Sequence, residues 1–231
     1  MHVPDGFLDA PTSVGTAVVA AAGVAIALRG SRRELDDRTA PLAGLVAMFV
    51  FAAQMLNFPV GLGTSGHLLG GALAAILVGP YTATLILTVV LLVQALLFAD
   101  GGITALGTNI TLMGLVGVWV AWAVFVGVRA ILPKRLSSLT PASFVAGLVS
   151  VPAAALAFVA FYAIGGQAPI DLTALTGAML AWHTVIGVGE GLITALVVAS
   201  VVATRPDLVH GAQPLLKQRS LTVRSPEGIS A

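Results

Sequence analysis

The chain has 231 residues, of which 58% are hydrophobic and 9% charged, and its mean hydropathy is +1.01. A water-soluble domain carries about 25% charged residues, so this chain cannot clothe a water-facing surface, and composition points to a polytopic membrane protein. There is no cysteine, which excludes disulfides, thiolate metal sites and thiol nucleophiles, and the net charge of +1 says less than where the charges stand.

The first residues read "MHVPDG". His2 stands beside the α-amino group of Met1, and Pro4-Asp5-Gly6 is a good turn sequence. The turn can fold the start of the chain back so that Phe7 and Leu8 dock on the bundle and aim the terminus inward. The apolar run that follows resembles the core of a signal peptide, but no Lys or Arg precedes it, whereas Asp5 and Asp9 do. The mature chain is therefore expected to begin at Met1.

Spanning helices need about 17–25 mostly apolar residues. The sequence predicts an all-α fold, a polytopic membrane bundle of about seven transmembrane helices with an inserted N-terminal segment. The spans are residues 12–28, 40–57, 66–79, 80–99, 109–132, 141–164 and 172–203. The third is too short to cross alone, and the last is long enough to tilt or to extend past the bilayer. In the first, "AVVAAAGVA" puts Ala17, Ala21 and Ala25 on one stripe. Small residues four apart permit close helix approach, either within the bundle or against another membrane subunit.

Between the second and third spans runs "NFPVGLGTSGHLLGG". Its glycines and Pro59 disfavour helix, and apolar Val60 and Leu62 suggest a loop folded back into the bundle. Thr64 or Ser65 is the expected N-cap of the next helix, with His67 in its first turn. There the helix dipole disfavours an imidazolium, and a metal ligand has to be a neutral imidazole. Residues 1–204 form the predicted membrane domain, and 205–231 a polar cytoplasmic tail with little fixed structure.

With seven spans and the N-terminus outside, all 11 Lys and Arg residues fall on the cytoplasmic side. The outer connections hold none, which satisfies the positive-inside rule. Met1, His2 and His67 then share the outer side. Alone, His67 reads as a hydrogen-bonded interior histidine. Paired with His2 it reads as a ligand.

The α-amine, the His2 peptide nitrogen and the His2 Nδ1 can close a five- and a six-membered chelate ring around one ion. A nitrogen of His67 would complete a planar set, the geometry that suits Ni(II) or Cu(II), with Co(II) allowed in an expanded shell. Asn57, Ser65, Gln94 and Asn109 are candidates to support the loop or the ligands. His183 and Glu190, seven residues apart on one helix face, are further candidates for such support and are read as an interhelical polar contact. Acidic Asp5, Asp9, Asp100 and Asp171 give the outer side a field that favours cation arrival. No phosphate-binding loop, H-E-x-x-H or G-x-S-x-G is present, so neither ATP hydrolysis nor hydrolase chemistry is expected of this chain, and nothing suggests nucleic acid.

"MHVPDGFLD", "NFPVGLGTSGHLLGGALAAILVGP", "VVLLVQALLFADGGITALGTNITLMG" and "HTVIGVGEGLIT" resemble the substrate-binding membrane component of cobalt/nickel energy-coupling-factor transporters, the CbiM/NikM family. The resemblance runs to about Ala203. It implies a metal held by the Met1 amine, the His2 amide and imidazole nitrogens and the His67 imidazole. It also implies a bacterial plasma-membrane location and Ni(II) or Co(II) as transported substrate, with no organic cofactor. The implied partners are a transmembrane coupling subunit, two cytoplasmic ATPase subunits and a small accessory membrane subunit. Ala17, Ala21 and Ala25 then resemble a subunit-docking face. Two other readings stand beside it. A binding component for an organic micronutrient would need an aromatic-lined pocket, and an intramembrane hydrolase built on His183 and Glu190 has no identifiable nucleophile.

Overall fold

A computed structural model describes residues 2–37, 39–61 and 64–224. Met1, Arg38, Leu62, Gly63 and residues 225–231 lie outside the described residues. Helix α1 spans Ala10–Gly30 and α2 spans Ala40–Gln54. A hairpin of β1 (Phe58–Gly61) and β2 (Thr64–Gly66) follows, then α3 (Gly71–Val78) and α4 (Pro80–Leu97). Next, α5 (Leu106–Asn109), a π-helical segment (Ile110–Gly117) and α6 (Val118–Ile131) run on as one continuous helix. The bundle closes with α7 (Leu139–Gly165) and α8 (Leu172–Thr204), and α9 (Gln213–Arg224) follows.

Among the described residues, five helices are long and apolar enough to cross a membrane. The chain is a multi-pass helical membrane protein, and the predicted seven spans resolve into these five and two shorter helices. Helix α2 has 15 residues. Helix α3 has only 8, every one of them buried, and rises about 12 Å. Residues of the third predicted span before Gly71 are spent on β2 and an irregular linker instead. Successive helices reverse direction. One end of the bundle therefore collects the N-terminal segment, the hairpin and the loops after α4 and α7. The other collects Arg29, Arg32 and Arg33, then Lys134 and Arg135, then Arg205.

The short helix α3 sits at the centre because it carries no group that water could serve. Its residues "GALAAILV" are apolar all round, and α4, α6, α7 and α8 enclose it. At its far end Gly79 adopts φ +98°, and Pro80 starts α4 at once. The exposed amides there are met by Glu34, which accepts from Tyr81 N (3.2 Å), Thr82 N (2.7 Å) and Thr82 Oγ1 (2.9 Å). A side chain on Gly79 would strike that carboxylate. The longest contact pairs α7 with α8, where small residues let backbones meet: a Cβ on Gly147 would lie 2.8 Å from Gly191.

Residues 205–224, expected as a loosely structured tail, are largely helical. Val209, Gly211 and Ala212 are buried, and Arg129 Nη1 donates to Gly211 O at 2.8 Å. The Trp122 and His210 rings lie 5.4 Å apart. The polar composition of this stretch hid a small apolar anchor.

Candidate metal centre

Residues 2–9 are tied down at several points. Gly6 takes φ +74°, and Phe7 N closes the turn on Pro4 O. Phe7 packs its ring on Phe158 and Tyr162, with centroids 5.6 and 5.3 Å away. Leu8 bridges Gly166, and Asp9 caps α1 by accepting from Thr12 N at 2.8 Å. On the inner side of the turn, Asp5 Oδ1 accepts from Thr104 N (2.8 Å) and Thr104 Oγ1 (2.5 Å), and those bonds hold its carboxyl below the usual range. Val3 is fully buried and clamped by the Asn109 amide. Its N–H donates to Oδ1 (2.8 Å), and its carbonyl accepts from Nδ2 (3.1 Å) and from Gly102 N (2.9 Å). A side chain on Gly102 would collide with Pro4 and Asp5.

These bonds deliver His2 into the bundle, where its ring stacks on that of His67 with centroids 4.4 Å apart and planes at 22°. His2 is 7% exposed and His67 is 0% exposed. Each ring has one nitrogen committed to a fixed neighbour. His2 Nε2 lies 3.2 Å from Gln94 Oε1, and His67 Nδ1 lies 2.8 Å from Leu68 O. The Leu68 carbonyl only accepts, so His67 Nδ1 carries the proton, whereas the Gln94 side-chain amide can meet His2 Nε2 with either its oxygen or its nitrogen. His67 Nε2 is left as a bare lone pair, buried and without a hydrogen-bond partner, and the equally buried His2 Nδ1 has only the Asp100 carboxylate beside it. Burial also holds His67 well below the ordinary histidine pKa, which keeps it neutral.

His67 is not in the first turn of a helix as the sequence suggested. It precedes α3 by four residues, and the N-cap is Gly70 at φ +76°, with neither Thr64 nor Ser65 in that place. Those two are strand residues, and Ser65 pairs across the hairpin with Pro59. The orphan amides at the start of α3 are met by Glu190, which accepts from Leu69 N (2.8 Å) and Gly70 N (2.7 Å). Glu190 thus fixes the linker two residues beyond His67. His183, one face with it on α8, is fully buried. Its Nδ1 donates to Met179 O (2.8 Å) within its own helix, so this bond is not an interhelical one, and its Nε2, like Gln94 Nε2, is buried with no hydrogen-bond partner.

Asn57 reaches the centre indirectly, donating to Asp100 Oδ2 at 2.9 Å. Asp100, which the sequence marked only as part of a diffuse acidic field, brings Oδ1 to 3.1 Å from His2 Nδ1, outside hydrogen-bond alignment. Its partial burial raises the carboxyl pKa, but His2 and the Asn57 amide outweigh this and hold it below the usual range. Ala17, Ala21 and Ala25 lie exposed on α1 beside the stripe that packs inward, Thr16, Ala20 and Ala27.

Among the described residues, no set of three or more His, Asp or Glu side chains forms a ready-made metal cage. Two stacked, buried imidazoles, each with one ring nitrogen in no aligned hydrogen bond, are half a nitrogen site. A family model described as the cobalt uptake substrate-specific transmembrane region, CbiM, matches residues 2–208. The chain belongs to the CbiM family. The fused nickel transport protein NikMN of Rhodobacter capsulatus is 37% identical over 223 residues, 90% of this chain and 64% of that one. The cobalt transport protein CbiM of Sorangium cellulosum is 34% identical over 220 residues, 92% of this chain and 96% of its own. Among solved structures, a transition metal transporter superposes with TM-score 0.82 at 28% identity, covering 97% of this chain and all 100% of that one. The CbiM match ends at residue 208, just before the apolar anchor of the tail.

Proposed function

We propose that this chain is the substrate-capture subunit of an energy-coupling-factor ABC-type importer for Ni(II) or Co(II). The ion is held by the Met1 α-amine, the His2 amide nitrogen and Nδ1, and His67 Nε2. One observation carries the reading: two stacked, buried imidazoles, each bonded through one nitrogen to a fixed neighbour and each with its other nitrogen, His2 Nδ1 or His67 Nε2, in no aligned hydrogen bond. A buried polar atom without a partner costs stability, and here two such atoms come together where a divalent ion would take both. These two nitrogens are those the chelate needs. Relatives named for nickel and for cobalt transport agree with a nitrogen-rich site for either metal.

In this reading ATP is hydrolysed by two cytoplasmic ATPase subunits, which act through a transmembrane coupling subunit, with a small accessory membrane subunit in some assemblies. The exposed Ala17, Ala21 and Ala25 stripe supports a docking face on α1. The basic end of the bundle, opposite His2, supports the N-terminus facing outward. The test is calorimetry on the detergent-purified protein. One residue added before Met1 converts the amine to an amide and should abolish tight binding with the melting temperature unchanged. His67→Ala should weaken binding at least a hundredfold. Unaltered affinity in the extended protein would sink the terminal chelate.

A further inference from the structure

The position of Asp100 is the least ordinary feature of the centre. His2 Nδ1 is the ring nitrogen the chelate needs, and a carboxylate oxygen stands 3.1 Å from it. Two donors bound at right angles to one ion, with bonds of about 2.1 Å, are about 3.0 Å apart. The Nδ1–Oδ1 separation is that of neighbouring ligands. The carboxylate is also aimed. Asn57 Nδ2 holds its other oxygen at 2.9 Å, and its backbone N–H is bonded to Gln94 O at 3.0 Å. Gln94 is the same residue that fixes the His2 ring.

Charge gives the second argument. A divalent ion held by an amine, an ionised amide and two neutral imidazoles keeps one net positive charge. Burying an uncompensated charge is unfavourable. The other acids at this end are engaged elsewhere: Asp5 by Thr104, Asp9 by Thr12, Asp171 by Ala174 and Glu190 by the amides of Leu69 and Gly70. Asp100 alone of these touches a ligand ring.

Resting on the capture reading above, we propose that Asp100 is a further ligand of the transported ion, an axial oxygen donor whose charge makes the buried complex neutral. Without metal it keeps His2 Nδ1 company, and with metal the same oxygen closes on the ion from outside the nitrogen plane. Asn57 and Gln94 hold it ready for that step.

The experiment uses the full chain in detergent, titrated with Ni(II) and with Co(II), as wild type, Asp100→Asn and Asp100→Ser. Asparagine keeps an oxygen for Asn57 but removes the charge. Both variants should lose at least tenfold in affinity for each metal, and the Co(II) visible spectrum should change as the axial oxygen is lost. Melting temperatures without metal should match wild type. Unchanged affinity in both variants overturns the proposal. So does weakened affinity with the wild-type Co(II) spectrum, which would make Asp100 a structural tie only. If wild type itself binds neither ion, the capture reading has failed, and that result is distinct from either of these.

Discussion

The chemistry of the centre turns on which nitrogen of each histidine carries the proton. The Leu68 carbonyl decides this for His67, and the Gln94 amide is the partner that bears on it for His2. Partners that orient a ligand ring typically contribute 10–100-fold to metal affinity. Gln94→Leu keeps the volume of the side chain and removes the amide, so Ni(II) affinity should fall by about 10–100-fold. Titration calorimetry would read this, and an unchanged constant would mean that Gln94 does not set the tautomer. The two histidines were legible in the sequence, because His2 adjoins an amine and His67 stands among glycines. Asp100 was visible only as one acid among four. Its role depends on a contact 98 residues along the chain from His2, which no local pattern announces.

At the scale of elements, the decisive piece is the linker between β2 and α3. Thr64-Ser65-Gly66 looked like a helix cap, yet the hairpin claims these residues and the helix starts at Gly71. Capping rules name residues that can accept from free amides. They do not reveal that a carboxylate from α8, 120 residues later, already accepts from Gly70. The hydrophobic runs did place α4, α7 and α8, since length and apolarity suffice for helices that face lipid. Glu190→Ala should leave two buried amides unpaired, at about 1–3 kcal/mol each. The protein should melt lower in detergent and bind metal more weakly, because His67 loses its anchor. Glu190→Gln, which still accepts one bond, should fall between the two. A variant with wild-type melting and affinity would show that α3 is held by packing alone.

Over the whole molecule, the two ends carry opposite duties. One end holds the candidate ligands, and the basic end is closed by the docked tail. His210 lies in that tail among Glu34, Arg129 and Lys217. Burial lowers its pKa from 6.5, with Lys217 and Arg129 adding to the effect and Glu34 opposing it. A depressed value means that the docked state excludes a proton that the undocked state accepts. Docking is therefore at full strength above 6.5 and is lost as pH falls through the docked-state value. Limited proteolysis after residue 204 should accelerate below pH 6.5 in wild type and far less in His210→Phe. Equal acceleration in both would remove His210 from the account.

The π-helical stretch from Ile110 to Gly117 has a consequence of a different kind. A π-turn spends one more residue than an α-turn on the same path. Thr84 Oγ1 takes the Gly114 carbonyl at 3.0 Å, and Asn109, just before the stretch, clamps Val3. Removing one residue there would let the segment relax to an α-helix along the same path, whereas rewinding it as α-helix with every residue kept would turn everything before it by about 100°. Asn109 would swing away and the start of the chain would lose its grip. The centre is thus encoded partly in winding, since the wider turn between Asn109 and Val118 aims the clamp as surely as the amide that forms it.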